Sequence, residues 1–80
     1  MAVSEKIKAL LALKGKKNVG LATYFGMTPQ SMNNKMSRGA FSAEDLIKVA
    51  EFTGCTLNFD LGDNQRIVLD AADIRNDGGI

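Results

Sequence analysis

The sequence has no histidine, one cysteine and one proline among its 80 residues. Without histidine there is no imidazole general base, no Ser-His-Asp triad and no Cys-His dyad. One cysteine cannot assemble the four-ligand zinc sites built from cysteine, or from cysteine and histidine. Nor can Cys55 close an internal disulfide, which fits a reducing compartment; a small buried hydrophobe is its plainest role. No apolar run approaches the ~18 residues a membrane span needs. The start, Met1-Ala2-Val3-Ser4-Glu5, lacks the basic stretch and apolar core of a signal peptide. These absences lead us to expect a cytoplasmic protein that is not an enzyme and holds no cofactor or metal.

Eighty residues suffice for one compact domain, not two. A domain this small is marginal alone, so a partner subunit would help it. The net charge of +1 hides an asymmetry. Residues 1–53 carry eight basic against four acidic side chains, and residues 54–80 carry two against five. A basic front and an acidic rear suit a protein that offers one surface to an anion.

The periodicity predicts four helices followed by a β-hairpin, a mainly α fold. Ser4 is placed to cap a first helix over 4–14, with Ile7, Leu10 and Leu11 as its apolar stripe and Gly15 as its stop. A second helix over 18–25 has Asn18 as its candidate cap and Leu21, Ala22 and Phe25 on one face. Gly20 inside it costs roughly 1 kcal/mol against alanine. Gly26-Met27-Thr28-Pro29 then ends one helix and starts another. Glycine takes the left-handed stop, Thr28 is an N-cap, and Pro29 sits where a missing N–H does no harm. The third helix runs over 29–37, with Met32 and Met36 inward and Gln30, Ser31, Asn33, Asn34 and Lys35 covering the rest. Ser42-Ala43-Glu44-Asp45 has the spacing of a capping box for a fourth helix over 43–53. Beyond Gly54 the period changes to two. The expected hairpin spans 56–69 and turns at Gly62-Asp63-Asn64. Residues 1–70 thus form a single domain and 71–80 a flexible tail, with Asn76-Asp77-Gly78-Gly79 expected to be disordered. The Asp60 and Asp63 carboxylates have no evident third ligand, so turn chemistry explains them better than a metal.

Two short helices meeting at a tight glycine turn, the first with a small residue four places before the glycine and the second with a polar outer face, form a recognisable constellation. A steep crossing needs a small residue such as Ala22, and a helix that enters a major groove must keep its exposed face polar. Leu21-Ala22-Thr23-Tyr24-Phe25-Gly26-Met27-Thr28-Pro29-Gln30, continuing through Arg38-Gly39 and the capped helix from Ser42, resembles the phage-repressor and Cro-like (XRE-type) helix-turn-helix family. The likeness covers roughly the first fifty-five residues. It implies sequence-specific binding of double-stranded DNA by a transcriptional regulator, most simply a repressor. By the resemblance Gln30, Ser31 and Asn34 fall on base-reading positions, and Thr28 and Asn18 on phosphate-contacting ones. The chemistry agrees: Gln and Asn amides pair with adenine N6 and N7, and a helix N-terminus suits a phosphate. Lys17, Lys35 and Arg38 would add salt-dependent backbone attraction. For Gln30 and Asn34 the plain alternative is a solvated helix face. For Arg38 it is a cation near a helix C-terminus, and for Lys17 a solvated loop.

A lone hairpin is marginal in water and must pack on something. We expect Leu57, Phe59, Leu61, Ile67 and Leu69 to cover the helices, leaving an edge that pairs with a second subunit in a homodimer. The other arrangement has the hairpin simply cap the core. A different function class keeps the fold and drops the DNA: a protein–protein interaction module, such as an antitoxin, binding through the hairpin face.

Overall fold

A computed structural model of the chain describes residues 2–74. Four helices, α1 (Val3–Leu13), α2 (Asn18–Phe25), α3 (Pro29–Arg38) and α4 (Ala43–Thr53), precede an antiparallel hairpin of β1 (Leu57–Gly62) and β2 (Gln65–Leu69) and a 3-10 turn at Ala71–Asp73. The first residues of the expected tail form this 3-10 turn, which Asp70 and Asp73 cap reciprocally. The expected disorder of residues 76–79 lies outside the described residues.

Ile7 and Leu11 of α1, Leu21 and Ala22 of α2, Met32 and Met36 of α3 and Val49 of α4 form one buried cluster. Leu10, Phe25, Met27, Phe41, Leu46 and Phe52 pack around it. Gly20, a poor helix former, has its reason in this packing: a Cβ there would stand 3.2 Å from the Phe52 ring. Phe52 also meets Tyr24, ring centroids 5.3 Å apart, and the Tyr24 hydroxyl donates to Glu51 at 3.3 Å. Partial desolvation, with the Glu51 carboxylate beside it, raises the Tyr24 pKa.

Two expected caps are corrected. Ser4 does not cap α1, which starts at Val3 behind Ala2. Its side chain is buried and donates across the molecule to the Met36 carbonyl at 2.6 Å. Asn18 does not cap α2 either; Lys17 holds that position without a side-chain bond. The Ser42–Asp45 capping box of α4 forms as expected.

The hairpin departs most from expectation. Leu57 pairs with Leu69 and Phe59 with Ile67 on one face, as the alternation requires, but a register shift between Asp60 and Gly62 interrupts the pattern at Leu61. Asp63 and Asn64 both have positive φ, as a type I′ turn demands. The hairpin meets the body chiefly where β1 packs against α4. Leu57 and Leu69 are half-buried, whereas Phe59, Leu61 and Ile67 remain 64%, 59% and 57% exposed. Among the described residues the apolar face lies against the helices at its root, and Phe59, Leu61 and Ile67 stay exposed beyond it.

Candidate nucleic-acid interface

The α2–α3 corner is built by local chemistry. Gly26, with φ 74° and ψ 31°, ends α2 in the left-handed conformation. The Met27 N–H then donates back to the Ala22 carbonyl at 2.9 Å. That bond turns the chain within one residue and points Met27, half-buried, at the core. Thr28 caps α3 by accepting from the Ser31 N–H at 3.1 Å. Ala22 is fully buried, and its small side chain lets α2 and α3 cross closely. Met32 and Met36 fix the roll of α3 by burying its inner face.

That roll decides what α3 shows to solvent. Gln30, Ser31, Asn33, Asn34, Ser37 and Arg38 are all exposed. Ser31 is also part of the cap, since the Thr28 hydroxyl donates to its Oγ at 3.0 Å. Among the described residues the first turn of α3 retains one unspent backbone donor, Gln30 N–H. Pro29 has none, Ser31 donates to Thr28 Oγ1 and Met32 to the Thr28 carbonyl. The first turns of α2 and α3 contain no acidic residue, while those of α1 and α4 carry Glu5 and Glu44 with Asp45. The positive ends of the two corner helices are thus left unneutralised, the arrangement that receives an anion.

The remaining sequence-derived positions fall into two groups. Lys17 and Arg38 are exposed, and among the described residues neither has an ion-pair partner. Lys35 is engaged: its ammonium lies 2.9 Å from Asp45 Oδ2 and 5.2 Å from the Phe41 ring centroid. It braces α3 against the start of α4, and a phosphate would have to compete for it. Burial pushes the Asp45 carboxyl pKa up, but the Ser42 N–H and Lys35 outweigh that and hold it below its ordinary value.

Asn18 turns inward to the corner. Its Nδ2 donates to Asn33 Oδ1 at 2.7 Å, while its own Oδ1 is shielded from solvent without a partner among the described residues. The pair links the first residue of α2 to the middle of the exposed face of α3. Asn33 was not singled out by the sequence. The available signal was its place one turn after Pro29, on the edge of α3 beside α2. No helix among the described residues is long and apolar enough to cross a membrane. No cluster of three metal-ligating side chains occurs among them.

Comparison with known proteins agrees with this corner. The family model for the bacteriophage CI repressor helix-turn-helix domain matches residues 4–64. The repressor protein CI of Enterobacteria phage phi80 is 38% identical over 58 residues. The match covers 72% of this chain and 25% of that protein, so the chain corresponds to about a quarter of its relative's length. No solved structure matches. With four helices, a glycine-turned corner and an aligned stretch that spans α2, α3 and α4, the chain belongs to the bacteriophage CI repressor helix-turn-helix domain family.

Proposed function

We propose that the protein is a transcriptional repressor that binds double-stranded DNA sequence-specifically as a homodimer, with α3 in the major groove. The observation that carries this is the exposed face of α3, polar and free of carboxylates, held at a fixed roll by two buried methionines. Gln30 and Asn34 are one turn apart on that face and present amides suited to adenine edges. Ser31 reads beside them, restricted by its bond from Thr28. Asn18 positions Asn33 and approaches the backbone at the start of α2. Phosphates meet the free Gln30 N–H by Thr28, and Lys17, Arg38 and a released Lys35 supply the salt-dependent attraction. A dimer would set two such helices about 34 Å apart, one turn of DNA.

Site selection from a random duplex library tests this. The wild type is expected to enrich an inverted repeat with half-sites about 10 bp apart. Gln30→Ala and Asn34→Ala should each cost about 1–3 kcal/mol on that site and relax its base preference. Arg38→Ala should weaken binding to all sequences and lower the salt slope by about one. Folded protein that enriches no sequence rejects the proposal. One observation favours a second function: the exposed apolar face of the hairpin is what a partner-masking module, such as an antitoxin, would use. Absence of salt-dependent DNA affinity would transfer our support to it.

A further inference from the structure

Asn33 stands on the exposed face of α3 one turn after Pro29, on the edge beside α2. Its Oδ1 accepts from the Asn18 Nδ2 at 2.7 Å, a bond that joins two helices across 15 residues of chain. The bond fixes more than a distance. A free asparagine amide offers both a donor and an acceptor and turns to suit either. In Asn33 the acceptor end is held toward α2. The amide is planar, so Nδ2, on its other branch, is the end left for whatever approaches α3. The orientation of the pair has a physical cause. With both amides reversed, the Asn33 NH2 would donate to Asn18, and the shielded end of Asn18 would be an NH2 without an acceptor. As the pair stands, the shielded end is the Asn18 Oδ1. An oxygen suits that place better. Asn18 is the first residue of α2, a helix with no side-chain cap and no acidic residue in its first turn. Its positive end favours an oxygen over an NH2.

We infer that Asn33 is a further specificity-determining residue, that Asn18 is its positioning residue, and that the edge it reads is guanine. The inference rests on the reading of α3 as the groove helix and deepens it. The donor end of a pinned amide selects bases that present acceptors in the major groove. Guanine presents two, N7 and O6, side by side, and the hydrogens of one NH2 meet both. Adenine presents an acceptor beside a donor, its N6, and asparagine reads that pair only with both ends of its amide. Here the Oδ1 is spent on Asn18. Cytosine presents a donor and is rejected. Asn33 thus differs in kind from Gln30 and Asn34, the amides assigned to adenine above. A phosphate oxygen is an acceptor too. The base is favoured because Asn33 lies in the middle of α3, one turn beyond Gln30, whereas backbone N–H groups suited to phosphate gather at helix starts.

Site selection on folded variants tests this, with the chosen base as the readout. In the wild type, one position of the half-site, next to those that Gln30→Ala and Asn34→Ala relax, should be guanine. Asn33→Ala should lose that preference and bind the guanine site about tenfold more weakly, with the other positions unchanged. Asn18→Ala frees the Asn33 amide to rotate, so the position should accept adenine as readily as guanine. Asn18→Asp reverses the polarity. A carboxylate at 18 accepts and does not donate, so the Asn33 NH2 turns to it and the Oδ1 turns outward. The position should then change from guanine to cytosine, whose N4 amine donates, with Asn33 itself untouched. An acidic residue suits the start of α2, and circular dichroism of all three variants should match the wild type. A merely structural Asn18 would lower stability and leave the preferred base alone. Guanine retained in Asn33→Ala, or affinity lost equally on all sequences as for a phosphate contact, overturns the inference and leaves the repressor reading standing. So does an unchanged preference in both Asn18 variants. Wild-type protein that enriches no sequence overturns both.

Discussion

At the scale of single residues, the corner depends on side chains too small or too specific to exchange. Gly26 adopts φ 74° with open space around its Cα, so a substitution meets backbone strain and no clash. Gly26→Ala should therefore lower stability by about 1–2 kcal/mol, read as a lower urea midpoint with an unchanged slope. An unshifted midpoint would show that the left-handed turn is not required. Ser4 shows the limit of local reasoning. A serine three places before Ile7 has the spacing of a cap, and nothing nearby says otherwise. Its acceptor is the Met36 carbonyl, 32 residues away, and only the packed fold brings the two together. Asn33 was hidden for the same reason, since its partner lies on another helix. Gln30 and Asn34 were legible because exposure on α3 follows from the burial of Met32 and Met36, which periodicity does reveal.

At the scale of elements, the ends marked by strong caps were legible, and the caps at the starts of α1 and α2 and the contacts between helices were not. Thr28-Pro29 and Ser42 mark starts, and Gly26 and Gly54 mark stops, through rules confined to a few neighbouring residues, while α3 runs one residue past its expected end to stop at Gly39. The Lys35–Asp45 bridge between α3 and α4 lies outside such rules. Its pH dependence follows from the direction of the Asp45 shift. Folding lowers the affinity of this carboxyl for a proton, so its contribution is full above the ordinary carboxylate range near pH 4 and is lost as pH falls through the lower folded value. Asp45→Asn should flatten that part of the acid limb in urea titrations between about pH 2 and 5. The pair is half-buried, with 18% and 19% of its side chains in solvent, so screening reduces the effect only in part. An acid limb identical to the wild type would show that Asp45 carries none of it.

At the scale of the whole molecule, the helical body buries most of its apolar residues, Val3, Leu13, Val19 and Tyr24 excepted, while the hairpin leaves most of its own exposed. Alternation in Thr56–Leu61 shows that β1 has an apolar face, but not what that face meets, since the same pattern serves a strand laid on helices or one laid on another subunit. If the proposed homodimer forms through this face, Phe59→Asp with Ile67→Asp should keep the wild-type helical circular dichroism and sediment as a monomer at concentrations where the wild type is found to associate. Loss of the helical signal would instead make the hairpin part of the core. The exposed face has one further consequence, for dosage. Where two chains must meet before an operator is held, occupancy at low abundance follows the square of the chain's concentration. A twofold fall in synthesis then empties the site roughly fourfold. Hydrophobic side chains left in water would thus convert a gradual change in protein level into a sharp change in gene state.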